Sequence, residues 1–535
     1  MNFKKILLFI LILSVVFYLF SLLLNNSYSY LDPDLGWHFK VGEDILKKGD
    51  APRLNHYNFT LLNESWIDHE WLMEVLMYSI YDFSYLSLHL FFVVIALLAF
   101  FIAIIPTLKE YKYRPAVFFA AALPLIFGIY ISTPHLGLRP QEFALLFTSI
   151  LLLIIYNYEK KANLKYLFIL PILFFVWANL HGSFILGLGL LFAWFFIKVI
   201  FFNKYFYKLF NKLKLQAGRQ LETKERKIFS LFLVITIIFT LLNPYGFDLY
   251  LSLFEYSNTY YLSNIAEWLS QFSYPFKYNQ LLYLTISLAM VLIFIFFEPV
   301  KKRGKLNIWS LFLYFFFLIL AFKSRRHFPL FVIVNLGFFT QILLFYGQEF
   351  KKLKPPKFLF IINSFIVIII TILLSFNYFK TINWHQDPFN NFCYNYPCEA
   401  VSFMKSSDDL KDLNLYNHYG WGGYMIWMYP EKLLFIDGRM PHYPYNDISI
   451  LEEYNKFKSE DEKQIEKMID KHEIELFLLK SHFREIEFKA WENFLFGFND
   501  ENIIYRNNLI DYLNQSTSFK NIYEDKTAII FKKIN

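Results

Sequence analysis

Two cysteines in 535 residues exclude a scaffold built on disulfides and leave no second ligand pair for a cysteine-based metal site. Charge is scarce too. Asp, Glu, Lys and Arg make up 18% of the chain, against about 25% in ordinary globular domains. No phosphate-loop, zinc-finger or RNP pattern occurs, so the net charge of +7 does not point to nucleic acid. H-E-x-x-H fails at Met73, which removes a zinc-protease reading. There is no internal repeat and no low-complexity tract, and repeats are the usual mark of a transporter built from two related halves.

What fills the chain instead is apolar. Hydrophobic residues make up 56% and aromatic residues 21%, and runs near the length needed to cross about 30 Å of hydrocarbon recur. Spans are expected at 5–24, 86–107, 115–133, 140–157, 165–180, 183–202, 228–243, 280–299, 307–322, 328–347 and 358–378. The first follows a basic start and lacks an A-x-A-like cleavage site, which reads as a retained signal anchor. With Lys4 and Lys5 in the cytoplasm, strict alternation makes KEYKYR (109–114), EKKANLK (159–165), 203–227, KKRGK (301–305) and KKLKPPK (351–357) cytoplasmic. All are basic, as the positive-inside rule requires. The fold class expected is a polytopic α-helical membrane protein of about 11 spans with a C-terminal extracytoplasmic α/β domain. Residues 1–378 form its membrane part, with a first external loop at 25–85, and residues 379–535 form the external domain. In the latter, 414–419, 432–437, 474–480 and 527–533 read as strands and 459–472 as an amphipathic helix. Stretch 203–227 reads either as an amphipathic helix on the inner leaflet or as a solvated loop. Cys393 and Cys398 read either as a small disulfide loop or as two thiols.

This topology delivers polar groups from distant parts of the sequence to one membrane face. LDPDLGWH (31–38) brings Asp32, Asp34 and His38. A carboxylate there suits a general base, and in an extended segment the pair could share a metal; a capping or turn role around Pro33 and Gly36 is the alternative. His69 and Glu70 open a helix expected along the interface, with Trp66 and Trp71 at headgroup depth. Arg139 and Glu142 come from LRPQE, His181 from WANLHG, Asn243 from NPYG and Glu267 from the loop beyond. The KSRRH segment, with Lys323, Arg325, Arg326 and His327, breaks the positive-inside pattern. It suits either a phosphate partner or lipid headgroups. Asp437 and Arg439 follow an expected strand as a sugar- or phosphate-contacting loop or a structural ion pair.

Together these elements resemble the multi-spanning glycosyltransferases of the C superfold (GT-C), which include protein O-mannosyltransferases, oligosaccharyltransferase catalytic subunits and bacterial aminoarabinose transferases. Asp34, Glu43, Leu46, Gly49 and Pro52 fit that group's first-loop arrangement, with Asp34 in the place of its catalytic aspartate. The likeness is nearest to bacterial membrane proteins that carry D-x-D…W-H, H-E-W-L, R-P-Q, W-A-N-L-H-G and D-G-R elements, here at 32–38, 69–72, 139–141, 177–182 and 437–439. YGWGGYMIW (419–427) loosely resembles the W-W-D-Y-G segment of oligosaccharyltransferases but lacks its acid.

The resemblance implies inverting transfer of a sugar from a polyprenyl-phosphate carrier to an extracytoplasmic glycan, lipid or protein at a bacterial inner membrane. Asp34 would be the base, and Asp32 would assist or share a divalent Mg or Mn ion with it. Arg325, Arg326, Arg139 and Lys323 would hold the donor phosphate. His38, His69, Glu70, Glu142, His181, Asn243, Glu267 and His327 would line the substrate site. Two alternatives are a metal-independent polymerase or ligase using a lipid diphosphate, and a non-enzymatic transporter or envelope-assembly protein.

Overall fold

The computed structural model describes residues 3–200, 208, 212, 214–216, 218–255, 259–298, 306–351, 357–385, 387–458, 461–481 and 508–534. Each expected span falls on a helix: Phe3–Ser29, Tyr85–Glu110, Pro115–Ser132, Glu142–Lys161, Lys165–Leu180, Phe184–Ile200, Thr223–Thr240, Tyr278–Phe296, Ile308–Lys323, Phe328–Lys351 and Lys357–Thr381. A chain segment in hydrocarbon must satisfy its backbone hydrogen bonds internally, and a helix does so within one segment. Among the described residues, seven helices are long and apolar enough to cross a bilayer, and three more apolar ones are shorter. The 16-residue helix Lys165–Leu180 spans only about 24 Å. It ends at the buried His181, where the chain turns into the next helix. Most of the basic stretch at 203–213, KKRGK and most of KKLKPPK lie outside the described residues.

Phe3–Ser29 packs along Lys357–Thr381, Tyr85–Glu110 along Glu142–Lys161, and Pro115–Ser132 along Phe328–Lys351. At one end of this bundle lie two short helices of the first loop, Leu35–Lys48 and Trp71–Phe83, which pack against each other. The C-terminal region covers them. Its four-stranded sheet runs in the order Leu415–Asn417, Leu476–Lys480, Ala528–Lys533, Phe519–Glu524, with the first pair parallel and the others antiparallel. Leu415, Phe477, Leu478 and Ile530 are buried in its core. The expected amphipathic helix is present as Glu462–Lys471, with Ile465, Met468 and Ile469 buried. Cys393 and Cys398 are joined in a disulfide.

Residues 432–437 are not a sheet strand. Leu434 makes only isolated bridges, to Asn58 and Leu415, because its backbone is committed to the first loop. Leu434 donates its N–H to the Tyr57 carbonyl at 3.0 Å, and Phe59 donates to the Leu434 carbonyl at 3.0 Å. The Asn417 side chain takes the Phe435 N–H at 2.9 Å. Trp66, expected at headgroup depth, is instead buried beneath Arg439, whose guanidinium carbon lies 4.6 Å from the ring centre.

The Leu35–Lys48 helix meets the short helix Gly422–Met428 backbone to backbone. A Cβ on Gly36 would lie 2.2 Å from the Gly423 carbonyl oxygen, and one on Gly423 would lie 2.2 Å from the Pro33 carbonyl oxygen. Both carbonyl oxygens belong to the backbone, so the contact cannot relax by a side-chain rotation. Gly36→Ala and Gly423→Ala are each expected to destabilise the protein by ~1–3 kcal/mol through overpacking. Thermal unfolding in detergent should show a lowered Tm for both variants and little change for Gly189→Ala, where a Cβ meets nothing.

Candidate functional site

The acidic pair is shaped by Pro33, which favours a turn over an extended strand. Asp32 accepts the Asp34 N–H on its Oδ1 at 2.9 Å, and its carbonyl accepts the Leu35 N–H at 3.1 Å. Asp34 becomes the N-cap residue of the following helix, with φ −91° and ψ −14°, yet its side chain makes no capping bond. Its Oδ1 instead accepts the indole N–H of Trp37 at 3.0 Å. Gly438 lies against the same oxygen, so closely that a Cβ there would sit 2.0 Å from it. The extended geometry expected for a shared metal is therefore replaced by a turn in which the two carboxylates have different partners.

Asp32 is held by Arg139. The guanidinium reaches from the loop after Pro115–Ser132, pairs through Nε with Asp32 Oδ2 and through Nη1 with Glu267 Oε1. Arg326 Nη1 lies 4.0 Å from Glu267 Oε2, and its guanidinium carbon stacks 5.1 Å from the Trp268 ring centre. Glu267 is placed by its backbone, which accepts the Arg326 N–H at 2.9 Å and the Ser324 hydroxyl at 3.2 Å. Among the described residues no three His, Cys, Asp or Glu side chains converge as metal ligands. With Arg139 on Asp32 and Glu267, this donor set does not fit a divalent cation as it stands.

Burial sets the protonation of these groups. Asp34 is pushed up to about 7, first by desolvation and then by the Asp32 charge. Burial also works against Glu267, but Arg139 and Arg326 outweigh it and hold this carboxyl at about 2. Glu70, just before the Trp71–Phe83 helix, is raised to about 8, mainly by burial. Three histidines surround it: Nε2 of His181 at 3.1 Å, of His69 at 3.6 Å and of His38 at 4.0 Å. Ser183 donates its N–H to His181 Nδ1 at 3.0 Å, which puts the neutral ring's proton on Nε2, facing Glu70. Burial lowers His38 to about 3 and His69 to about 4.

Two adjoining cavities result. A polar one of about 110 Å³ is lined by Asp32, Asp34, His38, Glu70, Arg139, Glu267 and Arg439, among others. A largely apolar one of about 290 Å³ is lined by His181, Leu186, Leu253, Phe254, His327 and Leu330, among others. His69, Gln141, Tyr261 and Arg326 line both.

Several expected site residues lie elsewhere. Arg325 turns away from the cavities and donates to the carbonyls of Ser273 and Pro275, the latter at 2.9 Å. Lys323 lines neither cavity and is exposed. Glu142 is buried as a brace for the loop before its helix, accepting the Gly137 N–H at 2.7 Å. Asn243 closes its own turn, accepting the Tyr245 N–H at 2.8 Å and donating to the Thr240 carbonyl at 2.8 Å. Asp437 and Arg439 form a buried ion pair at 2.7 Å, and the guanidinium also donates to Asn55 and Asn58, each at 3.0 Å. Only Gly438 and Arg439 of that segment face the polar cavity. Trp37, Asp68 and Tyr261 line it without having been singled out. The first two stand beside named residues in LGWH and IDHE, where proximity to the acids was the available signal.

No protein-family model matches the sequence, and no curated protein is significantly similar to it. Solved structures do match. The oligosaccharyltransferase of Archaeoglobus fulgidus, tethered to an acceptor peptide containing the NVT sequon, aligns with a TM-score of 0.55 at 12% identity, over 89% of this chain and 69% of that one. Its apo form aligns with a TM-score of 0.53 at 11% identity, again over 89% and 69%. The archaeal oligosaccharyltransferase AglB from the same organism, in complex with an inhibitory peptide and a dolichol-phosphate, gives 0.53 at 11% over 90% and 70%. This chain shares their fold. The likeness in fold covers nearly the whole chain.

A raised carboxyl pKa also carries a stability signature. Because Asp34 holds its proton more tightly folded than unfolded, its contribution is greatest below about pH 4 and is lost as pH rises through about 7. Asp34→Asn, which keeps an oxygen for the Trp37 N–H, is expected to raise Tm at pH 8. That gain should shrink toward pH 4 in a pH series of melting curves.

Proposed function

We propose that this chain is a membrane glycosyltransferase that moves a sugar from a polyprenyl-phosphate carrier to an acceptor hydroxyl or amide. The observation that carries the reading is Asp34 in a polar cavity that meets an apolar groove at Arg326. An amphipathic donor needs both environments, one for the sugar and phosphate and one for the start of the isoprenoid chain. The solved neighbours that carry an acceptor peptide or dolichol-phosphate support that class of ligand. In this reading residues 25–85 and 379–535 lie on the outer face of a bacterial inner membrane, and residues 1–378 hold the carrier.

The step is an inverting displacement. The acceptor oxygen or nitrogen attacks the anomeric carbon and forms the new glycosidic bond. The bond from that carbon to the phosphate oxygen breaks, and the phosphate leaves with the electron pair. The acceptor's proton passes to the Asp34 carboxylate. Arg326 stabilises the charge gathering on the phosphate with its guanidinium fork. Glu70, neutral at pH 7, offers an O–H to the substrate, while His38, His69 and His181 orient it as neutral rings.

The test is transfer from a radiolabelled polyprenyl-phosphate sugar by protein in liposomes, run over a panel of sugars and acceptors. Asp34→Asn is expected to lower turnover by ~10²–10⁴-fold in protein that inserts and unfolds cooperatively. Retained transfer in that variant would refute the reading. Since the base must be ionised, wild-type turnover should rise with pH through a midpoint near 7, and Glu70→Gln should leave that midpoint in place. Arg326→Ala should cost ~1.5–3 kcal/mol in kcat/KM.

A further inference from the structure

Two carboxylates from separate loops, Asp32 and Glu267, face each other beside Asp34, and a single guanidinium fills the space between them. We propose that Arg139 is a built-in replacement for a divalent cation, so that the site assembles and acts without metal. The inference rests on the glycosyltransferase reading for its catalytic part, but the binding part stands without it.

The geometry of Arg139 is prepared from both sides. Its loop is shaped by the Arg139 N–H donating to the Gly137 carbonyl at 2.9 Å and by Glu142 accepting the Gly137 N–H at 2.7 Å. Gln141 donates to the His135 carbonyl at 3.0 Å. The Glu267 loop is tied to the KSRRH turn by bonds that include Arg326 N–H and Ser324 hydroxyl to the Glu267 carbonyl, and Arg325 N–H to the Leu269 carbonyl at 3.1 Å. Arg139 thus joins the first loop, its own loop and the Glu267 loop at one point. That is the bridging task a bound cation performs between carboxylates.

A guanidinium does this task differently from an ion. It is a fixed cation with five donors and no exchangeable coordination shell. A magnesium ion would demand near-octahedral oxygen ligands at about 2.0–2.1 Å, and Asp32 already spends its other oxygen on the Asp34 N–H. Arg139 leaves Asp34 free of any cation ligand, which suits a carboxylate that must accept a proton. Its positive charge also lowers the Asp34 pKa against the opposing charge of Asp32. Removing it should therefore move the acid limb of the activity profile upward, an effect that loss of a merely structural contact would not produce.

The experiment is a Mn²⁺ titration of the full-length, chelator-treated protein in detergent, followed by electron paramagnetic resonance, beside transfer assays with and without EDTA. Wild type is expected to hold no Mn²⁺ that Glu267→Gln removes, and to keep its transfer rate in EDTA. Arg139→Ala removes the guanidinium between Asp32 and Glu267, and should gain a Mn²⁺ site that wild type lacks, with the two carboxylates and water as ligands. Glu267→Gln in the Arg139→Ala background should abolish that site. Arg139→Lys keeps the charge but not the fork, and should stay metal-free if the alanine variant does not fold. The proposal is overturned if wild type binds Mn²⁺ in a Glu267-dependent way, or if folded Arg139→Ala takes up none. Absence of transfer by wild type with every donor would count against the glycosyltransferase reading and leave the Mn²⁺ result standing.

Discussion

The Pro33–Gly36 turn and the Gly423 backbone touch with no room for a Cβ between them, and that contact sets where the acidic pair lies against the C-terminal region. It fixes the start of the Leu35–Lys48 helix against the C-terminal region. Asp34, at the head of that helix, is thereby carried under Gly438, where only a hydrogen fits beside its carboxylate. A second join reinforces the first: Tyr57 and Phe59 pair with Leu434, and Thr60 donates to the Phe435 carbonyl at 2.6 Å. Arg439 completes it, stacked between Tyr57 and Trp66 at 4.4 and 4.6 Å while bonded to Asp437. The C-terminal region therefore builds one wall of the cavity instead of standing apart from it.

Within that wall the electrostatics sort the acids into two kinds. A buried carboxylate stays ionised only where a cation repays its lost hydration. Glu267, between Arg139 and Arg326, meets that condition; Glu70, among neutral histidines, does not. Asp34 lies between these extremes, desolvated and next to a negative Asp32, but linked through it to Arg139. Groups whose surroundings drive their pKa values apart mark acid and base roles. Here the divergence comes from which carboxyls Arg139 and Arg326 reach.

The membrane architecture was legible because hydropathy and charge are local properties: each long apolar run became a helix, and the basic segments separated them. The site was legible as a set of loops, less so as a set of contacts. KSRRH stood out as a violation of charge asymmetry, but composition could not tell which arginine faced inward. The 3₁₀ turn Arg325–His327 sends successive side chains in different directions, so Arg325 caps backbone carbonyls while Arg326 lines both cavities. Likewise the D-x-D spacing puts both carboxylates on one side only if the segment is extended. Pro33 bends it, and the long-range partner, Arg139, is more than a hundred residues away in sequence. Residues 432–437 failed as a strand for a similar reason: their apolar pattern fits a sheet, but the first loop took their hydrogen bonds. The lost strand and the Arg139 partner share one cause, contacts between segments distant in sequence.

That same turn explains how one short segment can serve two environments. Arg325 holds the Ser273–Pro275 loop and so fixes the backbone of the turn. Arg326, next in the chain, is then positioned at the boundary of the polar cavity and the apolar groove. A free arginine on an exposed loop would lose rotamer entropy on meeting a phosphate. Stacked on Trp268 and held near Glu267, Arg326 has lost much of that freedom before a ligand arrives. On the proposed reading, this prepayment falls at the one point where the donor changes from ion to hydrocarbon. In that reading a headgroup at Arg326 would have its anomeric carbon on the Asp34 side and its chain on the groove side.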